Sequence, residues 1–275
     1  MYEPYTGPVA PLLLKKELCE TNENIKRNID RTLSSSYVRF NELLGSRLGK
    51  TISVVGSGPS VSRHYKEITG DVMACNAAHD YLIDRGIVPT YGMFFDASPI
   101  VADMITPHKD VTYLLASRCH ADVFEKLRDY KVVVWHCKGD PYMDEALEGE
   151  FQRMEPMIHG GSAAVLRSLF IAHVMGYAEC HMFGVDSSFE GDVTHIKEYV
   201  PETMIDIYVV GKWFKTTAWM CGQVEDFKDL AQAMSERIKM VIHGEGMLPC
   251  LAKAMGYDVI SIEQEPTQSL EETPC

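Results

Sequence analysis

Several short clusters in this 275-residue chain carry residue types suited to phosphate and hydroxyl chemistry. The first is Gly56-Ser57-Gly58-Pro59-Ser60, directly behind the apolar run at 50–55. A glycine-rich turn after a strand lets backbone N–H groups approach a phosphate, and a helix start behind it favours negative charge. The hydroxyls of Ser57 and Ser60 would add donors. The spacing fits neither a P-loop nor a dinucleotide fingerprint, so a tight turn with a serine cap competes with nucleotide binding. The second is Cys75-Asn76, where an asparagine can offer donor and acceptor to a base or ribose or cap a helix beginning at Ala77. The third is Asp96-Ala97-Ser98-Pro99. Its carboxylate suits Mg²⁺ or a ribose, or a cap before Pro99.

The fourth cluster joins His159-Gly160-Gly161-Ser162 to Gly184-Val185-Asp186 across a helix. Gly160 and Gly161 permit close approach of a ligand to backbone, and Asp186 sits at another strand end. His195 follows in an irregular stretch. A loop histidine beside such a crevice is a general-base candidate because its pKa lies near working pH. His173 and His181 read as structural. Arg63, His64 and Lys66 could meet phosphates just after the first turn, but a solvated helix face accounts for them better.

These clusters recur at one kind of place, so the elements between them matter. Apolar runs at 50–55, 72–75, 91–95, 111–116, 131–136, 179–184 and 259–262 read as strands. Helices read at 77–85, 101–105, 121–129, 161–175, 224–241 and 248–255, with one or two more between 22 and 46. Alternation of this kind predicts an α/β, Rossmann-like fold: a mostly parallel sheet with helices on both faces. A helical N-terminal lead-in precedes it, and a less regular C-terminal part follows. Ligands in such sheets bind beyond the carboxyl ends of the strands, where the polar clusters fall. The expected layout is a lead-in with helices over 1–49 and a nucleotide-binding core over 50–191. A lid or acceptor-side region with closing helices then covers 192–262, and 263–275 is a disordered tail. The aromatic stretch from Tyr208 to Trp219 reads as an acceptor wall, a packed strand pair or an oligomer contact, so a homo-oligomer is compatible with it.

Composition bounds the function. A net charge of −13 argues against non-specific binding to nucleic acid or anionic membrane. The eight cysteines never form a C-x-x-C pair, which reads as reduced, mostly buried thiols in a cytoplasmic protein. No signal peptide and no membrane span are expected.

Taken in order, GSGPS, CNAA, PTYGMFFDASP, HGGSAAVLRSLFIAHVMGY and CHMFGVDSSF resemble the DUF115 or MptE-like family over about residues 50–200. A weaker echo lies at Gly244-Glu245-Gly246. That family includes archaeal 6-hydroxymethylpterin diphosphokinases and flagellin-glycosylation proteins of the motility-associated-factor type. The same set is similar to bacterial lipooligosaccharide sialyltransferases. That second resemblance implies that Ser57, Gly58, Pro59 and Ser60 cradle a donor, and that Asn76 contacts its nucleotide portion. Gly161 and Ser162 would line the pocket, with His195 deprotonating the acceptor hydroxyl. Asp96 departs from the sialyltransferase pattern, which has asparagine there.

The expected nucleotide-binding set is therefore Gly56, Ser57, Gly58, Pro59, Ser60, Asn76, Asp96, Ser98, Gly160, Gly161, Ser162 and Asp186. The favoured expectation is a glycosyltransferase that carries a sugar from a nucleotide donor such as a CMP-sugar to a hydroxyl acceptor, with His195 as base. The alternative is an ATP-dependent diphosphokinase in which Asp96 and Asp186 hold Mg²⁺. A non-catalytic nucleotide-binding module is the third.

Overall fold

The computed structural model describes residues 20–140, 143, 155–193, 195–196 and 203–262. The lead-in before residue 20 and the tail at 263–275 lie outside the described residues.

The chain opens with Asn22–Leu33 (α1), capped by the Thr21 hydroxyl, which accepts from the Asn24 N–H. Its apolar spacing buries Ile25 and Ile29. No second helix follows: Val38–Arg39 (β1) and a single 3-10 turn at Phe40–Leu43 take its place. Then come Thr51–Val55 (β2), Val61–His64 (α2), Asp71–Cys75 (β3), Ala78–Ile83 (α3) and Tyr91–Phe94 (β4). Thr112–Ala116 (β5), Ala121–Lys126 (α4), Lys131–Cys137 (β6), Met157–Ile158 (β7) and Ala164–Met175 (α5) follow. The last part holds Glu179–Phe183 (β8), Ile205–Val209 (β9), Lys212–Thr216 (β10), Ala218–Met234 (α6), Lys239–His243 (β11), Met247–Ala254 (α7) and Asp258–Ile260 (β12).

Ten strands form one sheet in the order β1-β6-β5-β4-β3-β2-β8-β11-β12, with β7 beside β6. Every pairing in it is parallel. The fold is therefore α/β and Rossmann-like, as expected. The chain runs outward from β2 to β6, then returns to lay β8 on the other side of β2. That reversal makes the β2–β8 boundary a topological switch point, where open α/β sheets bind ligands. Helix α5 packs across β2, β3 and β4 and buries Leu166, Leu169, Ile171 and Ala172. Gly176 ends it in the left-handed conformation, with φ 93°.

The expected helix at 224–241 needs correction. The stretch 224–241 is not one helix. Helix α6 starts earlier, where the Thr217 hydroxyl accepts from the Met220 N–H, and β11 occupies its expected end. A strand buried on both faces is a continuous apolar run, which periodicity alone cannot tell from a buried helix. The aromatic stretch resolves into a strand pair: β9 and β10 form an antiparallel hairpin with Tyr208 opposite Trp213. Val210 and Gly211 make its turn with φ of 49° and 79°, the all-positive geometry that matches strand twist. β1 and β7, two residues each, escaped the sequence pattern. Among the described residues no helix is long and apolar enough to cross a membrane. The described cysteines are free thiols, all buried except the half-buried Cys250.

Candidate functional site

The glycine turn after β2 meets the loop after β8 backbone to backbone. Gly56 N–H donates to Phe183 O at 2.8 Å and Gly58 N–H to Gly184 O at 2.9 Å. A Cβ on Gly56 would lie 2.5 Å from Gly184 O, and one on Gly58 would lie 2.2 Å from Asp186 Oδ2. Only glycine lets the loops close this far. The amides of Gly56 and Gly58 are thereby spent within the protein. The Ser60 N–H and hydroxyl are spent too, on Asp186 Oδ2 at 3.1 and 2.9 Å. Ser57, half-buried, keeps an amide and hydroxyl that take no partner among the described residues. Of Gly56, Gly58, Ser60 and Ser57, Ser57 alone keeps its amide unspent among the described residues.

Asp186 is buried, at 3 % exposure, and enclosed by Gly58, Gly244 and Gly246, each of which a Cβ would bring to 3.3 Å or less of it. Burial raises its carboxyl, against the lowering effect of the Ser60 hydrogen bonds, to about 6. It serves as an anchor for the turn. Asp96 Oδ1 accepts the Ser98 N–H at 2.9 Å, a local turn that heads the 3-10 segment Pro99–Met104. Of the two carboxylates expected to hold Mg²⁺, Asp96 spends Oδ1 on the Ser98 N–H and Asp186 spends Oδ2 on Ser60, while Asp186 also lines a cavity beyond β8 and β11.

Asn76 stands at the end of β3 with φ 50°, a left-handed conformation that asparagine tolerates. Its side chain does not cap α3. Its Oδ1 is buried with no hydrogen-bond partner. A buried orphan acceptor at a strand end is what a ligand donor would satisfy.

The segment 160–162 closes the crevice from the side of α5. Gly160 and Gly161 have φ of 130° and 71°, so the helix begins at Ala164 rather than at 161. A Cβ on Gly160 would strike the α5 backbone at Arg167, and one on Gly161 would strike Asp226. Ser162 donates through its N–H and hydroxyl to Asp226 Oδ2 at 2.8 and 2.6 Å. The start of α5 reaches the glycine turn, with Val165 3.4 Å from a Cβ built on Gly56. On the other flank, Ile196 N–H donates to Ser57 O at 2.9 Å. That bond docks His195 beside the turn. Burial holds the His195 pKa below its ordinary value.

The sequence reading missed a group at the ends of β4, β5 and β6. Arg118 and Arg167 each set a guanidinium over the Phe95 ring, 4.8 and 4.7 Å from its centroid, and Phe95 stacks on Trp135. Arg118 donates to Asp140 Oδ1 at 2.7 Å, and Arg167 to Ile158 O at 2.6 Å. Burial lowers the Arg167 pKa and raises that of Asp140. Arg167 feels the carboxylates of both Asp140 and Asp226, so the two buried guanidiniums sit among acidic groups as well as over a ring. Arg118 lay in plain view, two residues past a strand. Arg167 hid inside an apolar helix.

Arg63 and His64 are not a solvated face. Arg63 pairs with Glu190 and Glu245, and His64 is fully buried. A cavity of about 450 Å³ lies beyond β8 and β11, lined by Pro59, Arg63, Asp186, Phe214, Glu245 and Lys253 among others. A second, of about 560 Å³, is lined by residues at the amino ends of β8, β11 and β12, away from every cluster above.

Residues 23–192, more than half the chain, match the family described as 6-hydroxymethylpterin diphosphokinase MptE-like. No curated protein matches the sequence. Among solved structures, a MAf glycosyltransferase from Magnetospirillum magneticum AMB-1 superposes with a TM-score of 0.62 at 14 % identity. The match takes in 90 % of this chain but only 39 % of that one. A mammalian sialyltransferase aligns at 14 % identity with a TM-score of 0.41, over 83 % of this chain and 80 % of its own. The first of these likenesses shows a shared fold.

Proposed function

This chain belongs to the MptE-like family, and on that premise we propose that it is a transferase using a nucleotide-activated donor, most specifically a glycosyltransferase that moves a nonulosonic-acid-like sugar from CMP to a hydroxyl acceptor. The observation that carries this reading is the bond from Ile196 N–H to Ser57 O, which sets His195 beside the glycine turn. His195 stays unprotonated at neutral pH because burial disfavours its charged form, so it can accept a proton. In the proposed step His195 takes the acceptor proton as the new C–O bond forms. The sugar–phosphate bond breaks, and its electron pair leaves on the phosphate oxygen. The amide and hydroxyl of Ser57 favour that developing negative charge. Asn76 satisfies its orphan atom on the nucleotide, and the acceptor approaches across the cavity bordered by Phe214 and Lys253.

The second reading, a Mg²⁺-dependent diphosphokinase on a pterin-like alcohol, draws support from the family's description and from Asp96 at the end of β4. It asks Asp186 for the second carboxylate, one oxygen of which is already spent on Ser60.

A thermal-shift panel separates the two. The purified protein is melted against CMP, CDP, UDP, GDP, ADP and ATP, each with and without Mg²⁺. Ligand at 100 times Kd stabilises by about 2.7 kcal/mol. Stabilisation by CMP regardless of Mg²⁺ is expected. Stabilisation by ATP only with Mg²⁺ replaces the glycosyl-transfer reading with the second, and silence across the panel sinks nucleotide use altogether.

A further inference from the structure

Behind the crevice, on the sheet face covered by α2, lies a histidine cluster unused by the proposed reaction. His64 and His243 are buried, at 0 % and 2 % exposure, and Glu67 reaches both from the turn after α2. Glu67 Oε1 lies 3.2 Å from His64 Nδ1, and Oε2 lies 2.9 Å from His243 Nδ1. One potential ligand atom from each residue falls within 4.8 Å of the others. Beyond them stands an outer ring of partners. His64 Nε2 faces Glu245 Oε1 at 3.0 Å, His243 Nε2 faces His181 Nδ1 at 2.9 Å, and His181 Nε2 faces Glu179 Oε1 at 3.4 Å.

Counting protons shows what this arrangement suits. With a carboxylate at each ring nitrogen, His64 satisfies both only by carrying two N–H groups while fully buried. If a neutral His243 donates from Nδ1 to Glu67, its Nε2 must accept from His181 Nδ1. His181 then meets Glu179 as a second donor only if it too carries two protons. A divalent ion between the two Nδ1 atoms and Glu67 removes every conflict. His64 then donates Nε2–H to Glu245, His243 donates Nε2–H to His181, and His181 donates Nε2–H to Glu179. Each ligand's outer nitrogen meets an acceptor, the arrangement that orients metal-binding histidines. Two donors about 2.1 Å from a tetrahedral ion lie about 3.4 Å apart; the nitrogen–oxygen spacings here are 3.2 and 2.9 Å, and all three ligand atoms fall within 4.8 Å of one another.

We propose that His64, Glu67 and His243 form a binding site for a divalent transition-metal ion, with imidazole and carboxylate ligands of the kind that favour Zn²⁺. The ion is structural. It ties α2, and through it the glycine turn, to β11, across 176 residues of chain. Glu245 and His181 orient the two rings.

The test uses the full chain and Zn²⁺ alone. Protein stripped with chelator is loaded, dialysed and assayed for bound metal, and its melting temperature is recorded with and without Zn²⁺. Wild type is expected to keep one equivalent and to melt higher when loaded. Glu67 is the most exposed ligand, so Glu67→Gln preserves the fold by circular dichroism while losing the equivalent. Glu245→Gln, which removes an orienting partner, weakens binding about tenfold. His108→Ala, far from the cluster in sequence and half-exposed, leaves binding unchanged. Wild type that holds no zinc at micromolar concentration overturns the proposal. So does zinc retained equally by Glu67→Gln and His243→Gln, which places it elsewhere.

Discussion

Two side chains near the switch point, His195 and Asp186, are set apart by how water treats their charge. His195 loses solvation on burial, which pushes its pKa below the 6.5 of an ordinary histidine. As a base it therefore works down to lower pH. The acid limb of a kcat/KM profile is expected below that ordinary value, and His195→Ala should abolish transfer while CMP still raises the melting temperature. Normal turnover by that variant would remove His195 from the mechanism. Asp186 is displaced in the opposite sense, from 3.8 to about 6. The folded state binds its proton more tightly than the unfolded state does. The stability this gives is fully present below pH 3.8 and fades as pH rises through 6. A difference of about two pH units corresponds to roughly 3 kcal/mol. Asp186→Asn keeps an oxygen for Ser60 and cannot ionise. Measured by urea unfolding, wild type should lose on the order of 3 kcal/mol relative to this variant between pH 4 and pH 8; parallel curves would mean that Asp186 does not titrate as described. Asn76 carries no charge, yet its orphan atom is the most direct sign of a missing partner at the site.

At the scale of elements, the turn after β2 is governed by clearance. Gly58→Ala puts a methyl 2.2 Å from Asp186 Oδ2 and 2.7 Å from Gly184 O, a backbone atom that cannot step aside cheaply. A loss of about 2–3 kcal/mol in unfolding free energy is expected. Ser57→Ala, one residue earlier on the same turn, should stay within about 0.5 kcal/mol. Equal tolerance of both would contradict the close packing of the two loops. Much of this was legible in the chain. Strands β2 to β6 and β8 are short apolar runs, four of them (β2, β3, β4 and β8) closed within two residues by glycine, asparagine or aspartate, and the parallel sheet with its carboxyl-end crevice follows from their alternation with helices. What escaped depends on contacts between distant positions. Ser162 meets Asp226 across 64 residues, and Glu67 meets His243 across 176; no local pattern announces either. Arg167 and His64 looked like ordinary helix residues because burial is invisible in spacing. Strand β11 was lost because a fully buried strand has no alternation to read.

The whole molecule is a sheet wrapped on both faces, and its thiols report on that wrapping. Burial raises Cys75 to about 12 and Cys137 to about 11, and it lifts Cys119, Cys180 and Cys221 as well. Thiolate, the reactive form, is scarce at these positions. Among the six described cysteines, iodoacetamide should label Cys250 first in the native state, and the other five only on unfolding. Early labelling of Cys75 would show that the sheet opens near the crevice far more readily than its packing implies.

The placement of β2 also has a consequence for how the protein is made. Its partner β8 ends at Phe183, 128 residues after Val55. At roughly 5–20 residues per second of synthesis, β2 emerges from the ribosome roughly 6–26 s before the strand that will cover it. The first half of the sheet can assemble in that interval, because β3 to β6 lie on the other side. During that time the apolar run Ile52-Ser53-Val54-Val55 is a bare sheet edge, open to pairing with a neighbouring nascent chain. The strand that ends at the heart of the site is thus the one most in need of protection while the protein is born.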